Sequence, residues 1–312
     1  MNKKKKCFVT GGNGFIGTNL CGCLISRGYE VVSYDIVKKE IDNNVEWING
    51  DILDSEKLCY CMKGADVVIH LAAMVGVKNC LQNPQLVIET NVRGTDNIID
   101  ACRANSINNI IFASSSEVYG EGYENAMLSE EDKASPKSLY GESKLQAEYK
   151  LMDYSYQNNA KVSIMRYCNI YGPYQRTDFL IPLFINQAKK NIPLTVCGSG
   201  EQKRCYTYID DAVEFTIRAI ERNLGLLFEI FNISYEKAST IFDVVNAIEL
   251  VRGRKLKICR KECSELGRDL SCEIINRIIS SEKAQRILQY HPKINLYNGV
   301  RKMYQFHSGN YS

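Results

Sequence analysis

Apolar residues in this chain fall into short unbroken runs, separated by longer stretches with helical spacing. The runs are residues 6–10 (KCFVT), 30–35 (EVVSYD), 45–48, 66–71 (DVVIHL), 109–114 (NIIFAS) and 161–166 (KVSIMR). Continuous apolar runs of this length are what strands buried on both faces require. Between them, residues 15–27, 53–62, 85–105 and 140–157 read as helices, the first closed by Gly28 and the third near Asn105. Strands alternating with helices predict a doubly wound parallel α/β sheet of Rossmann type, with right-handed crossovers. After Arg166 the pattern breaks. Residues 170–177 are rich in Tyr, Gly and Pro, and 196–204 (VCGSGEQKR) form a polar loop. A helix over 209–223 and a strand near Ile230 resume the alternation, and the remainder mixes helices and loops. The expected organisation is a Rossmann domain over 1–168 plus about 206–232. A smaller mixed α/β substrate-binding domain takes about 169–205 and 233–312. There is no internal repeat and no low-complexity linker.

The first strand leads into Thr10-Gly11-Gly12-Asn13-Gly14-Phe15-Ile16-Gly17, which opens the first helix. Gly11, Gly14 and Gly17 form a G-x-x-G-x-x-G turn in strand–turn–helix context. Glycine admits positive φ and lets backbone approach a pyrophosphate, and the helix start offers free N–H groups. Asp35 closes the second strand 18 residues after Gly17. A carboxylate there accepts hydrogen bonds from a ribose 2′-hydroxyl and repels a 2′-phosphate, which favours NAD over NADP. Asp51 and Ile52, after the third strand, are placed to meet the adenine.

Composition removes several other classes. With 45% hydrophobic and 24% charged residues, the 312-residue chain is globular rather than disordered. A net charge of +3 and a single basic cluster, Lys3 to Lys6, do not make a nucleic-acid face. No apolar run reaches the roughly 18 residues of a membrane span. The basic start lacks a signal-peptide apolar region, because Cys7-Phe8-Val9 gives way at once to Thr10-Gly11-Gly12. The 13 cysteines include the close pairs Cys21/Cys23 and Cys59/Cys61 but no zinc-type spacing. They read as buried free thiols of a cytoplasmic protein, with no metal site.

Further motifs accumulate along the chain: His70-Leu71-Ala72-Ala73, Asn91 in NVRGT, and Ser114-Ser115-Ser116-Glu117-Val118-Tyr119-Gly120. Then come Tyr140-Gly141-Glu142-Ser143-Lys144, Arg166-Tyr167-Cys168-Asn169, Gly198-Ser199-Gly200-Glu201-Gln202-Lys203-Arg204 and Tyr208-Ile209-Asp210-Asp211. Together with TGGNGFIG, and over nearly the whole length, this set resembles the extended short-chain dehydrogenase/reductase family, in its nucleotide-sugar epimerase/dehydratase branch. The resemblance implies a nucleotide-diphosphate sugar as substrate. It implies NAD contacts from Gly11, Gly14, Phe15, Ile16, Gly17, Asp35, Asp51, Ile52, Leu71, Ala72, Ala73, Asn91, Tyr140, Lys144 and Tyr167. Ser115 and Ser116 then face the sugar, and Asn169, Arg204 and Arg268 face the diphosphate. It also implies a homodimer joined through about 92–104 and 140–156. Cys205 stands where many relatives carry an acid.

The chemistry of these residues agrees. Tyr140 and Lys144, four apart on one helix, share a face. A neighbouring ammonium favours the phenolate, which suits Tyr140 as general base. Lys144 also suits the ribose hydroxyls, and Ser115 the reacting sugar oxygen. The implied first step is oxidation of a sugar hydroxyl at C4 to a 4-keto sugar. The leading expectation is a 4-epimerase or C4 dehydrogenase. The alternative is a 4,6-dehydratase or UDP-glucuronate decarboxylase using Glu117, since Ser-Glu after the reacting serine resembles GDP-mannose 4,6-dehydratases and UDP-glucuronate decarboxylases. A non-catalytic NAD-binding sensor is a remote third possibility.

Overall fold

A computed structural model describes residues 4–39, 42–75, 80, 82–124, 126–222, 225–262 and 274–307. The first half runs β1 (Lys6–Thr10), α1 (Phe15–Ser26), β2 (Glu30–Asp35), β3 (Val45–Asn49), α2 (Ser55–Cys61) and β4 (Val67–His70). Next, α3 (Pro84–Ile88) passes through a π turn (Glu89–Arg93) into α4 (Gly94–Ala104), followed by β5 (Asn109–Ser115) and a 3₁₀ turn (Ser116–Tyr119). Then come α5 (Leu139–Asn158), β6 (Lys161–Tyr167), β7 (Ile170–Tyr171), α6 (Leu180–Lys189), β8 (Leu194–Cys197), β9 (Lys203–Cys205) and β10 (Thr207–Tyr208). The chain ends through α7 (Ile209–Glu221), β11 (Phe228–Ile233), β12 (Ala238–Ser239), α8 (Ile241–Arg252), β13 (Ile258–Lys261), β14 (Asn276–Arg277), α9 (Glu282–Leu288) and α10 (Leu296–Phe306).

Seven parallel strands form the central sheet in the order β11-β6-β5-β4-β1-β2-β3. Its strands read as unbroken apolar runs because both faces are covered. On one face Val9, Leu20, Leu24 and Phe215 share a core. On the other, Phe8, Val68, Ile98, Phe112 and Leu151 do. Each fully buried side chain of this size favours folding by about 1.5–3 kcal/mol. The remaining strands form three small sheets, β7 with β10, β12-β9-β14, and β8 with β13. Chain order reverses between β1 and β4, and at such a switch point ligands bind beyond the carboxyl ends of the strands.

Six cysteines, 7, 21, 80, 102, 168 and 205, are buried free thiols as expected, while the free thiols Cys23 and Cys259 are exposed. Cys197 departs from the expectation of free thiols because it is disulfide-bonded. Scattered cysteines carry no spacing signal for such a bond. No helix among the described residues is long and apolar enough to cross a membrane.

Candidate active site

The glycine turn sits at the switch point. Gly11 has φ +68°, and a Cβ there would stand 2.7 Å from the Ala72 amide nitrogen. The turn is thus pressed against Leu71 and Ala72 with no room for a side chain. A Cβ on Gly17 would come within 2.4 Å of the Gly11 carbonyl oxygen. Helix α1 opens at Gly14 with no side-chain cap, and Phe15 and Ile16 are its first residues. Its first amides are therefore suited to an anionic group. At the end of β2 the Asp35 carboxylate accepts from the Asn13 amide at 3.0 Å and the Val37 amide at 2.9 Å. One bond per oxygen leaves a lone pair on each for ribose hydroxyls. A cradle that a Cβ would fill, an uncapped helix start and this acid together fit NAD.

Two further groups brace the cradle. His70, 1% exposed, bonds Thr10 Oγ1 at 2.8 Å and Thr95 Oγ1 at 3.2 Å through its two ring nitrogens. Burial, helped by the Lys144 charge, pulls its pKa down to about 3, so it stays neutral. Asn91 lies in the π turn, a device frequent at functional sites. Its amide nitrogen donates to the Met74 carbonyl and to Ser143 Oγ, and its oxygen accepts from the Met74 amide. It thereby ties the segment after β4 to α5. Asp51 Oδ1 accepts from the Leu53 amide, and Ile52 is buried against Gly94.

The expected reacting groups meet where β5 ends and α5 begins. Ser115 closes β5, its Oγ accepting from the Glu117 amide at 3.2 Å, and it is hydrogen-bonded to the half-buried Tyr140. Ser138 caps α5 by accepting from the Gly141 amide, which sets Tyr140 in the first turn. Lys144, 2% exposed, donates from Nζ to the Ala113 carbonyl at 2.7 Å and lies 4.6 Å over the Phe112 ring. Burial lowers its pKa to about 7, against the opposing charge of Glu148. Burial, and then the Glu117 charge, push the Tyr140 phenol up, with the Ser115 hydrogen bond acting the other way. The expected lowering of Tyr140 by Lys144 is therefore not a property of the protein by itself. Lys144 is committed to Ala113 and its ammonium is weakened by burial.

Glu117 is ion-paired to Arg277 Nη2, and Ser138 Oγ donates to its other oxygen at 3.4 Å. Burial is the largest influence and would raise this carboxyl, but the charge and hydrogen bond of Arg277, the Arg204 charge and the Ser138 hydrogen bond together hold Glu117 below the usual range. Sequence reasoning missed Arg277. It is 2% exposed, and its Nε and Nη1 find no partner among the described residues. The available signal was a lone arginine inside the apolar run Ile274-Ile275-Asn276-Arg277-Ile278-Ile279. Arg277 on β14 stands opposite Arg204 on β9. Arg204 donates to the carbonyls of Lys203, Ile275 and Ile274, and burial followed by the Arg277 charge lowers it to about 10.

Other expected site residues are held by the protein itself. Asn169, at φ +40°, donates to the Cys205 carbonyl at 3.1 Å. The Tyr167 hydroxyl is bonded to Thr216 Oγ1 at 2.7 Å within the core. Ser116 is buried. Arg268 lies outside the described residues.

A family model described as the NAD dependent epimerase/dehydratase family matches residues 7–234. The chain is 35% identical over 323 residues to the UDP-N-acetyl-alpha-D-glucosaminuronate decarboxylase of Bacillus cytotoxicus, covering 97% of this chain and 98% of that protein. Among solved structures, the UDP-glucuronic acid 4-epimerase of Bacillus cereus, in complex with UDP-glucuronic acid and NAD, superposes with TM-score 0.90 at 30% identity. That match covers 98% of this chain and all of the other. The NAD complex of Thermus thermophilus UDP-glucose 4-epimerase does so with TM-score 0.90 at 27% identity, over 97% of this chain and 99% of the other.

Proposed function

Because this chain belongs to the NAD-dependent epimerase/dehydratase family, we propose that it decarboxylates a UDP-linked hexuronic acid. It is an NAD-dependent nucleotide-sugar enzyme of extended short-chain dehydrogenase/reductase fold. The observation that carries the finer reading is Arg277. It is a buried guanidinium anchored on Glu117, whose backbone amide bonds Ser115 Oγ, and its Nε and Nη1 find no partner among the described residues. A buried charge with free donors calls for an anion, and a planar fork matches a carboxylate. A uronic acid carries one at C6, next to the C4–C5 region where the chemistry occurs. The decarboxylase relative, matched over nearly its full length, supports the choice.

NAD, which Gly11, Gly14, Gly17 and Asp35 would hold, would supply the hydride acceptor for C4 and the hydride that later restores it. Tyr140 takes the C4 hydroxyl proton, and Ser115 holds the resulting carbonyl oxygen. The product is a β-keto acid. Its C5–C6 bond breaks, CO₂ leaves, and the electron pair moves into the C4 carbonyl as an enolate steadied by Tyr140 and Ser115. A proton then enters at C5, and Tyr140 gives its proton back to the C4 oxygen as hydride returns. No base is needed at C5. A Glu117 held ionised by Arg277 is a poor base for the C5 proton that a dehydratase must remove.

The second reading is 4-epimerisation of a UDP-hexuronate, favoured by the solved 4-epimerase with UDP-glucuronic acid bound. It uses the same reacting groups and retains the carboxylate. Asp51 and Ile52 at the adenine, and Asn169, Arg204 and Arg268 at the diphosphate, belong to either reading. So do a substrate part over about 169–205 and 233–312, a homodimer through about 92–104 and 140–156, and a cytoplasmic location.

The test is incubation of the protein with UDP-glucuronate and UDP-N-acetylglucosaminuronate, followed by mass spectrometry. Loss of CO₂, with solvent deuterium at C5 in D₂O, is expected. An isomer of unchanged mass supports the epimerase instead, and loss of water would sink both readings. Arg277→Gln should lower kcat/KM by about 10–100-fold, as expected for losing a charge-assisted hydrogen bond.

A further inference from the structure

Beneath the reacting groups runs a chain of buried polar contacts that the reaction itself does not touch. Ser114 precedes Ser115 on β5, and Arg166 stands opposite it on β6. Glu148, one turn beyond Lys144 on α5, joins both. Its Oε1 accepts from Ser114 Oγ and from Arg166 Nε at 3.0 Å, and its Oε2 accepts from Arg166 Nη2 at 2.6 Å. Arg166 Nη1 donates to the Tyr119 hydroxyl at 2.9 Å, which donates to Asn232 Oδ1 at 2.8 Å on β11. The Asn232 backbone amide donates to Glu130 at 2.7 Å. Glu148 and Arg166 are 2% and 4% exposed.

A buried ion pair is a weak device for stability, because desolvation cancels much of the attraction. It is a strong device for geometry, because a bidentate fork fixes distance and plane together. The reacting groups sit close to members of this chain: Ser115 adjoins Ser114, and Lys144 is four residues before Glu148 on α5, the helix that also carries Tyr140.

We propose that Glu148 and Arg166 are positioning residues: their pair locks α5 against β5 and β6, and so fixes Ser115, Tyr140 and Lys144 relative to one another. The pair also gives Glu148 a fixed charge near Lys144. The other groups facing that ammonium are the neutral His70 from β4 and the Phe112 ring and Ala113 carbonyl from β5. Glu148 supplies the negative charge that favours the ammonium. The inference rests on Ser115, Tyr140 and Lys144 being the reacting groups and holds for either sugar product.

The test compares Glu148→Gln, Arg166→Lys, Ser114→Ala and Tyr140→Phe as NAD-loaded enzymes. It measures kcat, KM, bound NAD, melting temperature and the pH profile of kcat. Glu148→Gln should lower kcat by up to about 100-fold, the scale of a small misplacement of reacting groups. Its KM and NAD content should stay within about threefold, since the pair is buried beneath the site rather than open to it. Without the Glu148 charge, the basic limb of the profile moves to lower pH as the Lys144 ammonium is lost earlier. Ser114→Ala removes one hydroxyl and strands no charge, so it folds even where Glu148→Gln does not. It should lower kcat by about fivefold with no shift of the limb. Arg166→Lys keeps the charge but loses the fork, and should behave like Glu148→Gln in kcat while keeping the limb in place. Wild-type kcat in both Glu148→Gln and Ser114→Ala overturns the proposal. So do losses of kcat matched by equal losses of NAD or of folded protein. Full activity in Tyr140→Phe overturns the assignment of reacting groups instead.

Discussion

Replacing Lys144 by Met should abolish activity and yet make the protein more stable at neutral pH. In the folded chain burial lowers the Lys144 pKa from the usual 10.5 to about 7. In the unfolded chain it titrates normally. Between those values the unfolded state binds more protons, so unfolding becomes harder as pH rises. Each unit is worth about 1.4 kcal/mol, so holding this lysine in the fold costs about 4 kcal/mol at pH 7. The cost falls to about 2 kcal/mol at pH 9 and nearly vanishes above 10.5. The residue is 2% exposed, so solvent screening removes little of this. Methionine fills the same volume with no charge. It leaves the Ala113 carbonyl unpaired, which costs about 1–3 kcal/mol at every pH. The net gain at pH 7 is therefore a few kcal/mol at most. The secure quantity is the difference between the two proteins across pH. Urea unfolding of NAD-free wild-type and variant protein at pH 7 and pH 9 should show the variant's advantage shrinking by about 2 kcal/mol. An advantage that stays constant or grows with pH would refute the reasoning, because Lys144 would then not be destabilised as an ammonium.

Tyr140→Phe should lower kcat by about 10²–10⁴-fold, the usual worth of general acid–base catalysis, while bound NAD stays the same by ultraviolet absorbance. A loss below tenfold would remove Tyr140 from that role. Gly17→Ala places a Cβ 2.4 Å from the Gly11 carbonyl oxygen, so the cradle must open. The variant should purify with little or no NAD, and NAD content equal to wild type would show that the turn yields without affecting the site. Wild-type protein should release NAD(H) on denaturation. NADP(H) in the extract would contradict the reading of Asp35.

The sheet was legible because strands buried on both faces leave an unbroken apolar signature. Six of its seven strands appear in the sequence within a residue or two at either end, and the seventh was expected near Ile230. What was not legible depended on contacts between distant segments. The helix expected over 85–105 is broken by a π turn at Glu89–Arg93, where Asn91 is drawn to Met74 and Ser143. The run expected to continue to Leu71 stops at His70, where the chain turns under the glycine loop. The strands of the three small sheets are two to four residues long, too short for any periodicity to register. The same reason hid Arg277, whose strand has two residues. That Ser115, Tyr140 and Lys144 come together was legible because Tyr140 and Lys144 obey helical spacing and Ser115 ends a clear strand. Their titration was not, because burial of Lys144 and its bond to Ala113 are tertiary facts.

On the proposed reading Ser115 and Tyr140 act on the C4 oxygen, so they do not decide the fate of the oxidised sugar. For a 4-keto uronate that decision is stereoelectronic. The C5–C6 bond breaks only when it stands roughly perpendicular to the carbonyl plane, so that its electron pair enters the C4 π-system. With the bond in that plane, CO₂ is retained, and rotation of the ring before hydride return gives the 4-epimer. Whatever grips the carboxylate therefore selects the product. Arg277 is suited to that task because Glu117 and the surrounding protein immobilise it before any sugar arrives. An arginine fixed in place holds the carboxylate, and with it the direction of the C5–C6 bond, whereas a mobile lysine lets the ring change pucker. Arg277→Lys should thus change the ratio of CO₂ loss to C4 inversion more than it changes the rate of C4 oxidation. That ratio is read by mass spectrometry and NMR of one reaction mixture. An unchanged ratio with a uniformly slower reaction would mean that Arg277 only binds the sugar and does not orient it.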